Sequence, residues 1–100
     1  MILYWDIYEI RCNSKELHGV KLRGRIRKFS IEKGITCFLE NASDKENVVR
    51  FALQTDSEVK PLETFIKTLV PAAHVNEVLK NIPNPVLSKL KVNDPDRYEI

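Results

Sequence analysis

The first strand predicted from this sequence carries apolar side chains on both of its faces. Residues Ile2–Arg11 are rich in aromatic and β-branched side chains, which favour an extended conformation. Because successive side chains of a strand point to opposite faces, Trp5 and Ile7 fall on one face and Tyr8 and Ile10 on the other. A strand of this kind is typical of the interior of a sheet that is covered on at least part of each side. We therefore expect it to be a central strand.

The length of the chain limits how much structure it can form. One hundred residues supply one hydrophobic core, so residues 1–100 are predicted to form a single domain, expected to be a monomer. The sequence contains no apolar run long enough for a bilayer and does not begin like a signal peptide. We therefore expect a cytoplasmic protein without membrane contact.

The cysteines and histidines do not suggest a metal centre. Cys12 and Cys37 are the only cysteines, and His18 and His74 lie at no recognised metal-ligand spacing. Two reduced thiols are the expected state, with a disulfide as the alternative. No metal site and no cofactor are predicted.

The remaining elements follow in the order helix, strand, strand, helix, strand. The predicted helices are Leu22–Lys33, ended by a left-handed Gly34, and a second one that Pro71 ends. Asp56 and Ser57 can cap the second helix, with a start at Lys60 as the alternative, because Pro61 suits only the first turn. The predicted strands are Ile35–Glu40, Val48–Gln54 and His74–Leu79, with a weaker terminal strand at Arg97–Ile100. This order fits an α+β fold of the ferredoxin-like sandwich type, an antiparallel sheet with both helices on one face (βαββαβ plus a terminal strand).

Basic residues are concentrated around the loop between the first strand and the first helix. Eight of them lie between Arg11 and Lys33, and only Glu16 and Glu32 oppose them there. The N–H groups and the dipole at a helix N-terminus favour an anion, and Gly19 lets the backbone approach a ligand closely. Arg23, in the first helical turn, carries a planar guanidinium that suits phosphate. The stretch from His18 to Arg23 could therefore cradle a phosphoryl group without a metal ion.

Two separated motifs in this sequence resemble those of the acylphosphatase family. The family loop has the form Gly-x-Val-Gln-Gly-Val-x-Phe-Arg, and this chain reads Lys15-Glu16-Leu17-His18-Gly19-Val20-Lys21-Leu22-Arg23. The second family motif, Gly-(aromatic)-Val-x-Asn, corresponds to Cys37-Phe38-Leu39-Glu40-Asn41. Eighteen positions separate Arg23 from Asn41, the interval expected between the catalytic arginine and asparagine of that family.

The chain also departs from the family pattern at several positions. Lys15 and Cys37 stand where the family has glycine, and His18 stands where it has glutamine. After Asn41 the turn is about two residues longer than the family's, with Lys45-Glu46-Asn47 in place of its glycine. Both presumed catalytic side chains are nevertheless present.

The resemblance implies metal-free hydrolysis of acyl phosphates, the mixed anhydrides of a carboxylic acid and phosphate. Arg23 would bind the phosphoryl oxygens, and the Asn41 side chain would orient the attacking water. The implied phosphate loop is formed by Leu17, His18, Gly19, Val20, Lys21 and Leu22, largely through their backbone N–H groups. A small-molecule acyl phosphate is the implied substrate, and inorganic phosphate or sulfate is expected to bind at the same loop.

An alternative interpretation belongs to another functional class. A non-catalytic acylphosphatase-like or ferredoxin-like domain could bind nucleic acid or another anionic partner through the basic segment Lys15–Lys28. Nucleic acid is the less expected partner, because the RNA-recognition motif of the same topology has a third strand rich in glycine and aromatic residues. The segment Val48–Gln54 lacks that composition.

Overall fold

The computed structural model describes residues 3–12, 21–83, 85–87 and 91–92, and these carry an antiparallel sheet and two helices. The sheet consists of β1 (Tyr4–Arg11), β2 (Cys37–Asn41), β3 (Val48–Gln54) and β4 (His74–Pro83). The helices are α1 (Leu22–Glu32) and α2 (Lys60–Leu69), and two short strands, β5 (Pro85–Val86) and β6 (Lys91–Val92), pair with each other. Neither of these two described helices is long and apolar enough to cross a bilayer.

The strands of the sheet lie in the order β2-β3-β1-β4, with antiparallel pairing throughout. The strand β1 therefore has a neighbour on both sides, as its two apolar faces predict. The arrangement of four strands and two helices is compatible with a ferredoxin-like fold.

One face of the sheet packs against both helices. Its buried side chains come from β1, β3, α1 and α2, and they include Tyr8, Ile10, Val49, Phe51, Leu53, Leu22, Ile26, Leu62 and Ile66. The rings of Tyr8 and Phe51 are stacked, with their centroids 5.0 Å apart. Phe29 of α1 stacks in the same way on Phe65 of α2, at 4.2 Å. Both helices thus contribute to one hydrophobic core on one side of the sheet.

The opposite face of the sheet is covered as well. Trp5, Ile7 and Ala52 form a second buried cluster together with Leu87, which directly follows β5. The ring of Trp5 also contacts Phe38 of β2, at a centroid distance of 4.8 Å. The chain beyond β4 therefore reaches back across this face, which explains why β1 is apolar on both sides.

The carboxyl end of α1 is closed by a Schellman motif. The N–H of Ile35 donates to the carbonyl of Ser30 (2.8 Å), and the N–H of Gly34 donates to that of Ile31 (3.2 Å). Gly34 has a φ of 69°, the left-handed conformation that glycine adopts most easily. The prediction that this glycine ends the helix is confirmed.

The two glycines of this region are expected to respond with opposite signs to the same substitution. Gly24 lies inside α1 with open space around it, so Gly24→Ala should stabilise the fold by about 0.5–1 kcal/mol. Gly34 has equally open space but a positive φ, so Gly34→Ala should destabilise the fold by about 1–2 kcal/mol. Urea unfolding of the two variants measures both changes. Equal effects would mean that backbone conformation does not distinguish these positions.

Five predicted boundaries differ from the structure. β1 begins at Tyr4 rather than Ile2, and β2 ends at Asn41 rather than Glu40. α1 ends at Glu32 rather than Lys33, which is its C-cap. β2 begins at Cys37 rather than Ile35, because the N–H of Ile35 is already used in closing the helix. β4 extends past the predicted Leu79 to Pro83, because its last residues pair with the beginning of β1. The predicted terminal strand Arg97–Ile100 lies outside the described residues.

The extension of β4 passes through an irregular pairing with β1. The side-chain carboxylate of Asp6 is buried there and accepts hydrogen bonds from the N–H of Asn81 (2.9 Å) and the hydroxyl of Thr55 (3.1 Å). Asn81 has a φ of 58°, so the strand changes course at this residue. The Asp6 carboxylate thus accepts a hydrogen bond from the N–H of Asn81, which the irregular pairing of β4 with β1 would leave without a partner on the neighbouring strand.

Candidate functional site

The amino end of α1 carries positive charge and has no side-chain cap from the described residues. Lys21 occupies the N-cap position in a left-handed conformation (φ 56°), and no side chain of the described residues caps the helix there. The first turn contains no acidic residue, although a carboxylate would be favoured at this position. Arg23, in this turn, is exposed. The local structure therefore suits an external anion.

Arg23 has no acidic partner within the described part of the chain. The ion pairs found there all use Glu9 or Asp44 as the carboxylate and Arg11, Lys45 or Arg50 as the cation. A pairing of Arg23 with a surface acid, the ordinary structural alternative, is thus absent among residues 3–12, 21–83, 85–87 and 91–92. None of those residues competes with a ligand for its guanidinium.

Asn41 is the last residue of β2, and its side chain carries a buried acceptor to which none of the described residues donates a hydrogen bond. Cys37 and Leu39 pack against the helix-side core, and strand alternation puts Asn41 on the same face. Its Oδ1 atom is buried, and no described residue donates a hydrogen bond to it. Leaving a buried acceptor unsatisfied costs about 1–3 kcal/mol, so such groups are uncommon in native folds. A ligand or a bound water would remove that cost.

The elements carrying Arg23 and Asn41 bring them toward the same end of the sheet. α1 packs on β2, and the connection between them spans only residues 33–36. The eleven residues of α1 and the five of β2 each extend roughly 16 Å, at their ordinary rise per residue. The start of the helix and the end of the strand therefore lie at about the same level. No hydrogen bond within the described residues joins the two side chains directly.

The other predicted site residues are only partly described. Leu22 is fully buried in the helix-side core, so its side chain is used in packing. Lys21 is exposed. Leu17, His18, Gly19 and Val20 lie outside the described residues.

A buried charge cluster adjoins this end of the sheet, on the face away from the helices. Glu9 and Arg50 face each other across β1 and β3, and the side chains of both are completely buried. The Nε of Arg50 donates to Glu9 (2.8 Å), and its two Nη atoms donate to the two carboxylate oxygens of Asp44 (2.6 and 3.1 Å). Nη1 also donates to the carbonyl of Leu87 (3.2 Å). Most of the N–H groups of this guanidinium are thereby used.

Two exposed cations complete the buried charge cluster. Arg11 donates to the Oε1 of Glu9 from Nε (3.2 Å) and Nη2 (2.6 Å), and the Nζ of Lys45 lies 3.6 Å from the same oxygen. Burial by itself raises the pKa of Glu9, but the hydrogen bonds from Arg11 and Arg50 outweigh it and hold that pKa below its usual value. The hydrogen bonds from Arg50 likewise lower the pKa of Asp44.

Sequence reasoning missed this cluster and assigned Arg11 to the positive charge around the loop. That assignment is corrected, because Arg11 is engaged by Glu9, which precedes the basic segment. Part of the signal was present in the sequence, because Arg50 is the one charged residue of the otherwise apolar β3 and Glu9 lies between two apolar residues of β1. Opposite charges at interior strand positions indicate cross-strand partners.

The thiols and carboxylates of the described residues offer no other reactive centre. Cys12 is buried, Cys37 is half-buried, and no disulfide joins them. Burial raises the pKa of Cys37 to about 12, so its thiol is protonated at neutral pH and is a poor nucleophile. Among the described residues, no group of three or more His, Cys, Asp or Glu side chains could hold a metal ion.

Comparisons with family models, with curated proteins and with solved structures find no match to this chain. The function is therefore inferred from the residues and from the geometry described above.

Proposed function

We propose that this protein hydrolyses acyl phosphates on a ferredoxin-like, acylphosphatase-type domain. The observation that carries the proposal is the buried Oδ1 of Asn41, to which no described residue donates a hydrogen bond, at the end of the sheet near which the basic start of α1 lies. A phosphoryl group would satisfy the positive N-terminus and Arg23, and its attacking water would satisfy Asn41. The paired motif around Arg23 and Asn41 supports the same reaction by resemblance.

In the proposed reaction a water oxygen attacks phosphorus, and the bond between phosphorus and the carboxyl oxygen breaks. The products are a carboxylate and inorganic phosphate, and the water proton is released as the phosphate forms. Arg23 would stabilise the charge on the phosphoryl oxygens, while the Asn41 amide would accept a hydrogen bond from the water through Oδ1. A carboxylate is a good leaving group, so the chemistry needs no strong general acid.

The hydrolysis of benzoyl phosphate, with a chelator present, tests this proposal most directly. The wild-type protein should release benzoate and phosphate, and Asn41→Ala should lower kcat by about a hundredfold or more with little change in KM, because a misplaced water affects the reaction more than binding. The same variant should not lose stability in thermal unfolding, since it removes an unsatisfied buried acceptor.

This combination of results separates catalysis from structure. If Asn41→Ala destabilises the fold and leaves kcat unchanged, Asn41 is a structural residue and its proposed role is wrong. If the wild-type protein does not hydrolyse benzoyl phosphate or acetyl phosphate, the proposed activity is wrong.

A second candidate function is favoured by the exposed surface of α1. Arg23, Arg25, Arg27 and Lys28 are all exposed, and none of them takes part in an ion pair of the described residues. A non-catalytic domain would use this basic surface to bind nucleic acid or another anionic partner. In that case the affinity for an oligonucleotide falls steeply with salt, with a log–log slope of about 0.9 per phosphate contact. Substitution of Arg25 or Arg27 would then weaken binding as much as substitution of Arg23.

A further inference from the structure

The face of α1 that points away from the core combines one apolar side chain with a position that has none. The buried residues of α1 are Leu22, Ile26 and Ser30, which recur every four positions and define its inner face. Gly24 and Ile31 are both exposed and lie on the opposite face, two helical turns and roughly 10 Å apart along the axis. Ile31 is the most exposed of the large apolar side chains described, at 72%. We call the strip from Gly24 to Ile31 the outer face of α1.

Two cations flank the line that joins Gly24 to Ile31. Arg27 and Lys28 lie within three or four positions of both residues, which makes them neighbours on the helix surface. Both are exposed, and no carboxylate in the part of the chain that the structure describes pairs with either of them. Arg23 and Arg27, four positions apart, repel each other, and cations near the start of a helix are opposed by its dipole. An anionic partner would remove both costs.

The positive charge is confined to one of the two helices, which limits the shape of the partner. α2 packs beside α1 through the stacked rings of Phe29 and Phe65, so the two helices cover the same side of the sheet. The exposed cations of α2 are Lys60 and Lys67, with the partly exposed Glu63 between them. A flat anionic surface such as a bilayer would meet both helices, whereas a single acidic segment would meet α1 alone. The charge distribution therefore fits a narrow partner.

The centre of the outer face suits a protein better than a nucleic acid. One exposed apolar side chain is ordinary on a protein surface, but Ile31 lies in line with a glycine and between cations. Single-stranded nucleic acids bind through cations and through aromatic rings that stack on their bases, and the one aromatic ring of α1, Phe29, packs against Phe65. A protein helix could bury an apolar side chain against Ile31 and approach closely at Gly24.

The geometry points to the outer face of α1 as a docking surface for an acidic amphipathic helix of a partner protein. Carboxylates of the partner bind Arg27 and Lys28, one of its apolar side chains covers Ile31, and its backbone lies against Gly24. The inference rests on the basic surface of the second candidate function and narrows the partner to one class. It holds whether or not the domain hydrolyses acyl phosphates.

Binding of a fluorescently labelled synthetic peptide, followed by anisotropy, tests this docking surface. The probe carries leucines at the i, i+3, i+4 spacing of an amphipathic helix and glutamates at its other positions. The comparison ligands are a peptide of the same composition with scrambled leucines, poly-glutamate, a DNA duplex and phosphatidylserine vesicles. The wild-type protein should bind the amphipathic peptide about tenfold or more tighter than the scrambled one, because only the former presents a leucine face to Ile31.

Two variants of the outer face separate apolar contact from charge. Ile31→Ser and Gly24→Leu should each weaken binding of the amphipathic peptide by about tenfold and leave the affinity for poly-glutamate unchanged. The space around Gly24 is open within the fold, and leucine favours a helix, so Gly24→Leu should be at least as stable as the wild type. A loss of binding in this variant is therefore not a loss of folding.

Two charge variants form a matched pair. Arg27→Gln combined with Lys28→Gln should weaken binding of both the amphipathic peptide and poly-glutamate by about tenfold or more, most strongly at low salt. Lys60→Gln combined with Lys67→Gln removes the same charge from exposed positions of α2 and should change either affinity by about twofold or less. Equal losses in the two double variants would mean that net charge, not the outer face of α1, determines binding.

The remaining outcomes distinguish this inference from the proposed functions. If Ile31→Ser and Gly24→Leu bind the amphipathic peptide like the wild type, the docking surface is wrong, and the proposed hydrolysis is unaffected because it does not use these residues. If the DNA duplex or the vesicles bind more tightly than the amphipathic peptide, the inference is wrong and the second candidate function stands with another anionic partner. If none of these ligands binds at low salt, the inference and the second candidate function both fail.

Discussion

Replacing Arg50 with methionine is expected to destabilise the folded protein by about 3–5 kcal/mol, because it leaves the buried Glu9 carboxylate without its buried partner. Arg50 is completely buried and donates to Glu9, Asp44 and the carbonyl of Leu87. Methionine fills much of the same volume but donates no hydrogen bond. Arg27→Met, the same change at an exposed position of α1, should alter stability by only about 0.5 kcal/mol or less.

The effect of Arg50→Met should also depend on pH. The pKa values of Glu9 and Asp44 are lowered in the folded protein, so their ionised forms stabilise it above the pKa values of the unfolded chain, near 4. This stabilisation is lost as the pH falls through the lowered pKa values. The difference between wild type and Arg50→Met should therefore be largest near neutral pH and shrink in acid.

Urea unfolding at several pH values measures this prediction. The double variant Glu9→Leu with Arg50→Met removes both buried charges and should be more stable than Arg50→Met alone. If Arg50→Met is as mild as Arg27→Met at neutral pH, the buried charge cluster does not contribute to stability in the way its geometry indicates.

Replacing Arg23 with alanine should lower kcat/KM for benzoyl phosphate by about a thousandfold, the scale on which charge-stabilising groups act in phosphoryl and acyl transfer. Arg23 is exposed and has no acidic partner among the described residues, so its removal should leave the stability of the fold nearly unchanged. Arg23→Lys retains the charge but loses the planar pair of donors. It should recover only part of the activity.

Arg25→Ala is the matched control for this prediction. It removes the same charge from an exposed position two residues further along α1. A general electrostatic effect would lower activity and phosphate affinity to a similar extent in both variants, whereas a specific site affects only Arg23→Ala. Activity that survives unchanged in Arg23→Ala would exclude Arg23 from catalysis.

The elements that could be predicted from the sequence are those with strong local signals. β3 has the predicted bounds Val48–Gln54, because an apolar and β-branched run is flanked by polar turn residues. α2 starts at Lys60, the later of its two predicted starts, since Pro61 fits only the first turn of a helix. α1 starts at Leu22, and Gly34 ends it in the left-handed conformation.

The features that could not be predicted depend on contacts between distant segments. β4 extends to Pro83 because its last residues pair with the start of β1, where Pro83 lies opposite Tyr4. The local sequence pattern predicted that the strand ends at Leu79, four residues earlier. Glu9 and Arg50 are 41 positions apart in the sequence, and they meet only when β1 and β3 align in the native register. The burial of the Asn41 Oδ1, without a hydrogen bond from any described residue, likewise follows only from the packing of β2 against the helix-side core.

Because Glu9 and Arg50 lie directly opposite each other, they also restrict the register in which β1 and β3 can pair during folding. These two strands are connected through α1 and β2, so no tight turn sets their alignment. A slip of one residue would turn every side chain of β3 to the other face and bury Arg50 among Tyr8, Ile10 and the apolar residues of the helices. Such a slipped pairing would be far less stable than the native one. The Glu9–Arg50 pair thus favours the native register of β1 and β3 over the slipped one. A chain with leucine at both positions would lose this preference for the native register, even if its native state remained stable.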